Sequence, residues 1–216
     1  MTNAELELDV TDELFWDPKI DSAAVAVSAN DGTVTLRGTV GSFRQKREAR
    51  KAAERVWGVI DVDNELKVRI LTEQRREDAD LRGDVLQALM LDSLVPTTID
   101  AKVEYGYVTL TGNADWQYQR DEAEFIAGNI IGVTGVENDV YLNVLQPSPS
   151  DVRESIKKAL KRDAKLDAAS LSVETVNGTV VLTGTVHSWS ERDAAVAAAW
   201  AAPGVTAVDD LLTVTY

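Results

Sequence analysis

Apolar residues along this chain follow two alternating periods, and the alternation occurs three times. Leu6, Val10 and Leu14, then Leu81, Val85 and Leu89, then Val152, Ile156 and Leu160 are spaced by four, the stripe of an amphipathic helix. After each stripe come two runs of period two, joined around Gly-Thr-Val-Thr-Leu-Arg-Gly (residues 32–38), Gly-Tyr-Val-Thr-Leu-Thr-Gly (106–112) and Gly-Thr-Val-Val-Leu-Thr-Gly (178–184). Asp31-Gly32 and Asn177-Gly178 are the pairs that best accept the positive φ of a two-residue hairpin turn; Tyr105-Gly106 predicts a turn of another type. Gly32, Gly106 and Gly178 therefore mark a hairpin, and Gly38, Gly112 and Gly184 the end of its second strand.

Downstream of those second glycines the three copies stay in register. Alanines at Ala49 and Ala53, Ala123 and Ala127, and Ala195 and Ala199 form one face of a second helix, small enough to lie close on a sheet. Gly58-Val59, Gly132-Val133 and Gly204-Val205 then read as glycine C-caps. Val62, Leu66 and Val68, with their counterparts Val136, Val140 and Leu142 and Val208, Leu212 and Val214, give a closing strand. Each unit reads helix, strand, strand, helix, strand. The starting glycines are 74 and 72 residues apart, so the chain divides into repeats at 1–70, 77–145 and 149–216. The expected fold class is α+β: three tandem small domains, each with two helices packed on a three-stranded mixed sheet. Pro147-Ser148-Pro149-Ser150 reads as a linker.

This order, with Gly-x-Val-x-Leu-x-Gly on the hairpin, a basic residue eight positions after the second glycine (Lys46, Arg120, Arg192), the alanine face and the Gly-Val pair, resembles the BON (bacterial OsmY and nodulation) domain in three tandem copies. The resemblance implies a non-enzymatic module of bacterial proteins linked to osmotic and general stress. It also implies attachment to phospholipid or to envelope proteins and, in some members, potassium sensing.

Composition narrows the chemistry. No cysteine is present, so disulfides and thiolate nucleophiles are excluded. The formal charge of −14, of which residues 71–145 carry −9, gives no basic footprint for nucleic acid. The acidic first residues lack the basic start and apolar run of a secretory signal, which predicts a cytoplasmic protein. His187 and Ser188 are neighbours without a nucleophile-elbow or metal motif around them, so catalysis is not expected.

The candidate contacts lie at the second helices. Ser42-Phe43-Arg44-Gln45 and Ser188-Trp189-Ser190-Glu191 have the form of capping boxes that carry an aromatic, and the middle repeat offers Trp116 and Tyr118 instead, with Asp115 as a substitute cap. Phe43, Trp116, Tyr118 and Trp189 read either as an edge for a protein partner or membrane, or as covers for the sheet end. Arg44, Arg47, Lys51 and Arg55 form a basic face. It suits anionic headgroups, or is a solvated face laced with Glu48 and Glu54, or docks on Asp121, Glu122 and Glu124 of the middle repeat. Lys157, Lys158, Lys161 and Lys165 offer the same docking from the third repeat. Acidic residues before each last strand, Asp61, Asp63 and Glu65, Glu137 and Asp139, and Asp209 and Asp210, could hold potassium or calcium or could line a solvated face. The sequence thus predicts a non-enzymatic, stress-associated adaptor that binds a protein partner or an anionic phospholipid surface, with a cation sensor as the alternative and no obligatory cofactor.

Overall fold

The structure, a computed structural model, describes residues 1–70, 76–143, 149–162, 170–176 and 178–215. Pro147 and Ser148 of the expected linker, Lys165, and Asn177 of the third turn lie outside the described residues. Repeat one consists of α1 (Asn3–Trp16), β1 (Val25–Asn30), β2 (Thr33–Val40), α2 (Phe43–Glu54), β3 (Asp61–Asn64) and β4 (Lys67–Val68). Repeat two consists of α3 (Asp78–Leu91), β5 (Asp100–Glu104), β6 (Tyr107–Ala114), α4 (Gln117–Asn129) and β7 (Gly135–Leu142). Repeat three consists of α5 (Pro149–Arg162), β8 (Leu171–Val176), β9 (Thr179–Val186), α6 (Trp189–Trp200) and β10 (Ala207–Val214).

Each repeat is the expected α+β unit. The hairpins β1-β2, β5-β6 and β8-β9 are antiparallel. The second strand of each is central, and the closing strand lies parallel to it where Val34 faces Val62 and Val180 faces Val208. In repeat one the closing strand comes in two pieces, β3 and β4, both parallel to β2. The apolar stripes predict the cores: Leu6, Val10 and Leu14, Leu81, Val85 and Leu89, and Val152, Ile156 and Leu160 are all buried. The paired alanines of the second helices have no exposed surface at all, which lets each helix settle on its sheet. By compactness the chain divides into Met1–Ala114 with Tyr118–Tyr141, which joins repeats one and two, and Asp115–Gln117 with Leu142–Tyr216.

Three local expectations change. Tyr105, like Asp31, has a positive φ (54° and 48°), and Gly106 and Gly32 follow at 77° and 84°, so the first two hairpins turn alike. The Asp78 carboxylate makes this tolerable, accepting hydrogen bonds from the Tyr105 and Gly106 N–H groups at 2.7 and 2.9 Å. Asn3, at the equivalent position of α1, accepts from the Asp31 N–H at 3.1 Å. The second glycines do not end their strands. Gly38 (φ 121°), Gly112 (φ 123°) and Gly184 (φ 131°) lie inside β2, β6 and β9, where a Cβ would collide with the carbonyl oxygens of Ala24, Thr98 and Ser170. They let the chain entering the first strand press against the second. Finally, α2 closes before Gly58, through bonds from the Arg55 and Val56 N–H groups to the Ala52 and Ala53 carbonyls.

Asp17, which caps the C-terminal end of α1, is a buried carboxylate. Its Oδ1 accepts the Lys19 N–H at 3.0 Å and its Oδ2 the Arg55 Nη2 at 2.9 Å. These interactions, the Lys19 N–H first, hold its pKa below the ordinary carboxylate value although burial opposes them.

Two expectations follow from these features. Gly112→Ala combines a forbidden φ with a backbone collision, so chemical denaturation should show a loss of about 3 kcal/mol. Because the Asp17 pKa is depressed on folding, its stabilisation is complete above about pH 5 and lost as pH falls through the lowered value. Urea melts of wild type and Asp17→Asn should therefore differ at neutral pH and converge in acid.

Candidate functional site

Alanine occupies the inner face of the second helices, and on α2 and α4 the larger side chains stand to the outside of that face. On α2, Phe43 and Arg47 stand one turn apart, and the Arg47 guanidinium lies over the Phe43 ring at 5.5 Å. Its other neighbour is Phe125 of α4, whose ring centroid is 5.2 Å away. Arg47 Nη2 also donates to Asn129 Oδ1 at 2.9 Å. A Cβ on Gly128 would sit 3.0 Å from both Arg47 Nη1 and Phe43 Cδ1, so this helical glycine admits the incoming pair. Burial pushes the Arg47 pKa down from its ordinary value while Glu124 opposes the shift, and the guanidinium stays charged. Repeats one and two thus meet helix on helix, with one cation between two rings.

Docking of the basic helix on the acidic repeat is present, but its chemistry differs from simple charge pairing. Of the charges expected to meet Arg47, Glu124 acts at a distance, while direct contact comes from Phe125 and Asn129. Phe125, Gly128 and Asn129 did not stand out in the sequence as functional. The available signal was Gly128, since a glycine inside a helix costs about 1 kcal/mol relative to alanine and calls for a close approach.

The remaining candidates differ in burial. Arg55 is ion-paired to Glu13 at 2.8 Å and Asp17 at 2.9 Å, bracing α2 against α1. Trp189 is only 8% exposed, packs in the repeat-three core, and carries Arg192 over its ring at 4.7 Å. Arg44, Lys51, Trp116 and Tyr118 are exposed. The serine caps form, with Ser42 accepting from the Gln45 N–H and Ser188 from the Glu191 N–H, both at 3.2 Å. Their return bonds fall one residue earlier than in a capping box, from the Gly41 N–H to Gln45 and from the His187 N–H to Glu191.

The acids of the closing strands differ in their surroundings. Glu65 binds Arg37 at 2.7 Å, an interaction that holds its pKa below the ordinary value. Asp210 binds Arg192 at 2.7 Å and accepts the Leu212 N–H. Asn64 and Asn138, at the positions equivalent to Asp210, accept the Leu66 and Val140 N–H groups and donate to the Lys46 and Arg120 carbonyls. This position is a tie between the closing strand and the second helix. Asp61, Asp63, Glu137, Asp139 and Asp209 are exposed. Among the described residues no three His, Cys, Asp or Glu side chains are grouped to hold a metal ion, so the cation-sensor alternative finds no support.

Three small α+β modules of one pattern, repeated in sequence, define a tandem array of small domains. The BON domain model matches residues 2–70, 77–143 and 148–216, and the chain belongs to the BON domain family. It is 32% identical over 145 residues to osmotically-inducible protein Y of Escherichia coli (strain K12), a span that takes in 65% of this chain and 72% of that protein. It is also similar, at 18% identity, to CdsD, a structural protein of the type III secretion system of Chlamydia trachomatis, covering 96% of this chain and 91% of that one at a TM-score of 0.27. The CdsD C-terminal domain, again 18% identical with complete coverage of both chains, gives 0.28. BON domains are non-catalytic, and this chain is not an enzyme. No described helix is long and apolar enough to cross a membrane.

Arg47→Ala removes a stacked cation and a charged hydrogen bond together. It should weaken the coupling of repeats one and two by about 2–3 kcal/mol, seen as a lower and broader thermal transition. Arg47→Lys should restore only part, because an ammonium lacks the planar face that two rings enclose.

Proposed function

We propose that this chain is a stress-associated binding protein whose second repeat holds an apolar segment of a protein partner beside α3. The observation that carries this reading is a groove of about 420 Å³ running along α3 past the end of α4. Ala88, Leu91, Ile130 and Ile131 supply its apolar wall, and Arg76 and Asp84, ion-paired to each other, supply its polar rim. Leu91 and Ile131 are 76% and 62% exposed. An open apolar wall of this kind is what an amphipathic partner segment covers. The osmotic setting is carried over from osmotically-inducible protein Y, and a cytoplasmic location, which rests on sequence alone, is part of the same proposal.

Attachment to a phospholipid surface is the second reading. Exposed Arg44 and Lys51 favour it, while the net charge of −14 opposes approach to an anionic bilayer.

A photo-crosslinking side chain at position 91, used in bacterial cells after an osmotic upshift, distinguishes the two. A discrete protein adduct that falls at least tenfold with Ile131→Glu is expected. Lipid adducts with co-sedimentation on phosphatidylglycerol vesicles, or no adduct, would contradict the protein-partner reading.

A further inference from the structure

The first helices of repeats one and three are equivalent position by position: Leu6, Val10 and Leu14 occupy the places of Val152, Ile156 and Leu160, and all six are buried. Their solvent faces are therefore equivalent too, and they carry opposite chemistry. On α1 that face holds Leu8, Asp9, Asp12, Phe15 and Trp16, all exposed, on a helix without lysine or arginine. Phe15 and Trp16 are 69% and 77% exposed and meet edge to face at 5.6 Å. On α5 the same region holds Lys157, Lys158, Lys161 and Arg162, all exposed, with Lys158 bound to Glu154 at 2.8 Å. Lys161 and Arg162 stand where α1 has Phe15 and Trp16.

We propose that a second copy of this chain covers the α1 face with its α5 face. Charge complementarity selects the occupant. Asp9 and Asp12 suit the α5 lysines, and the exposed aromatic pair offers ring faces to Lys161 and Arg162, the arrangement in which a cation binds an aromatic. The same acids repel an anionic bilayer. With a chain charge of −14 opposing any close approach of two copies, association has to be local, electrostatic and sensitive to salt. The contact uses a different face on each partner, so two copies can exchange a reciprocal pair of such contacts or leave one end open.

Charge reversal tests this on the full chain by sedimentation velocity across protein concentration. Wild type should associate reversibly at low ionic strength and become monomeric in about 0.5 M salt, where the Debye length is only a few ångströms. Asp9→Lys with Asp12→Lys, and separately Lys157→Glu with Lys161→Glu, should each weaken self-association at least tenfold. An equimolar mixture of the two variants should associate again, since the native α5 face of the first meets the native α1 face of the second. The substituted side chains are exposed, and circular dichroism checks the fold; the salt response of wild type decides the matter even if a variant is unstable. Wild type that stays monomeric at every concentration would overturn the proposal. So would variants that associate like wild type, a mixture that stays monomeric, or a concentration-independent change in monomer shape that placed the contact within one chain.

Discussion

Everything in this molecule depends on how closely the second helix of each repeat can lie on its sheet. A repeat of roughly 70 residues has little interior to spend on thick layers, and no disulfide supplements it. Alanine on the inner face brings the helix backbone down onto the central strand, and the six paired alanines keep no exposed surface. With the helix that close, the larger side chains of its middle turns on α2 and α4 lie outside the layer, while Trp189 in the first turn of α6 closes the end of its own core. The mid-strand glycines serve the same economy from the sheet side, by letting the chain that enters the first strand press against the second.

That arrangement makes the outer face of the second helix the place where three similar folds become different. Position 128 is glycine on α4, while the equivalent positions are Glu54 on α2 and Trp200 on α6. Only the glycine admits Phe43 and Arg47 from a neighbour. Arg47 is at once the cation of the contact and its hydrogen-bond donor, and its partial burial between two rings makes the joint specific in a way that exposed ion pairs are not. Repeats one and two accordingly form one compact unit rather than two beads on a string.

Much of the fold was legible in the sequence because it is repeated. The stripes of leucine and valine, the alanine faces and the hairpin glycines recur in register, so a local pattern was read three times and tertiary context had little room to override it. What misled the reading was information carried by distant residues. Tyr105 looked unsuited to positive φ because Asp78, far away in sequence, clamps its turn. The site was less legible for the same reason. Phe43, Arg47 and Trp189 were visible as an aromatic and basic group, but whether each would face solvent, a core or a neighbouring repeat depended on Phe125, Gly128 and the third core. The exposed pairs Phe15-Trp16 and Met90-Leu91 escaped notice because an apolar pair at a helix end looks the same whether it is covered or not.

Because Arg47 joins α2 to α4, repeats one and two should unfold as one body. Native-state hydrogen exchange of the full chain in increasing denaturant addresses it most directly, by reporting the opening free energy of each helix. Slowly exchanging amides of α2 and α4 should converge on a common opening free energy with the same denaturant dependence. Two distinct openings, with α2 and its sheet exchanging independently of α4, would show that Arg47 does not join the two repeats into one unfolding body.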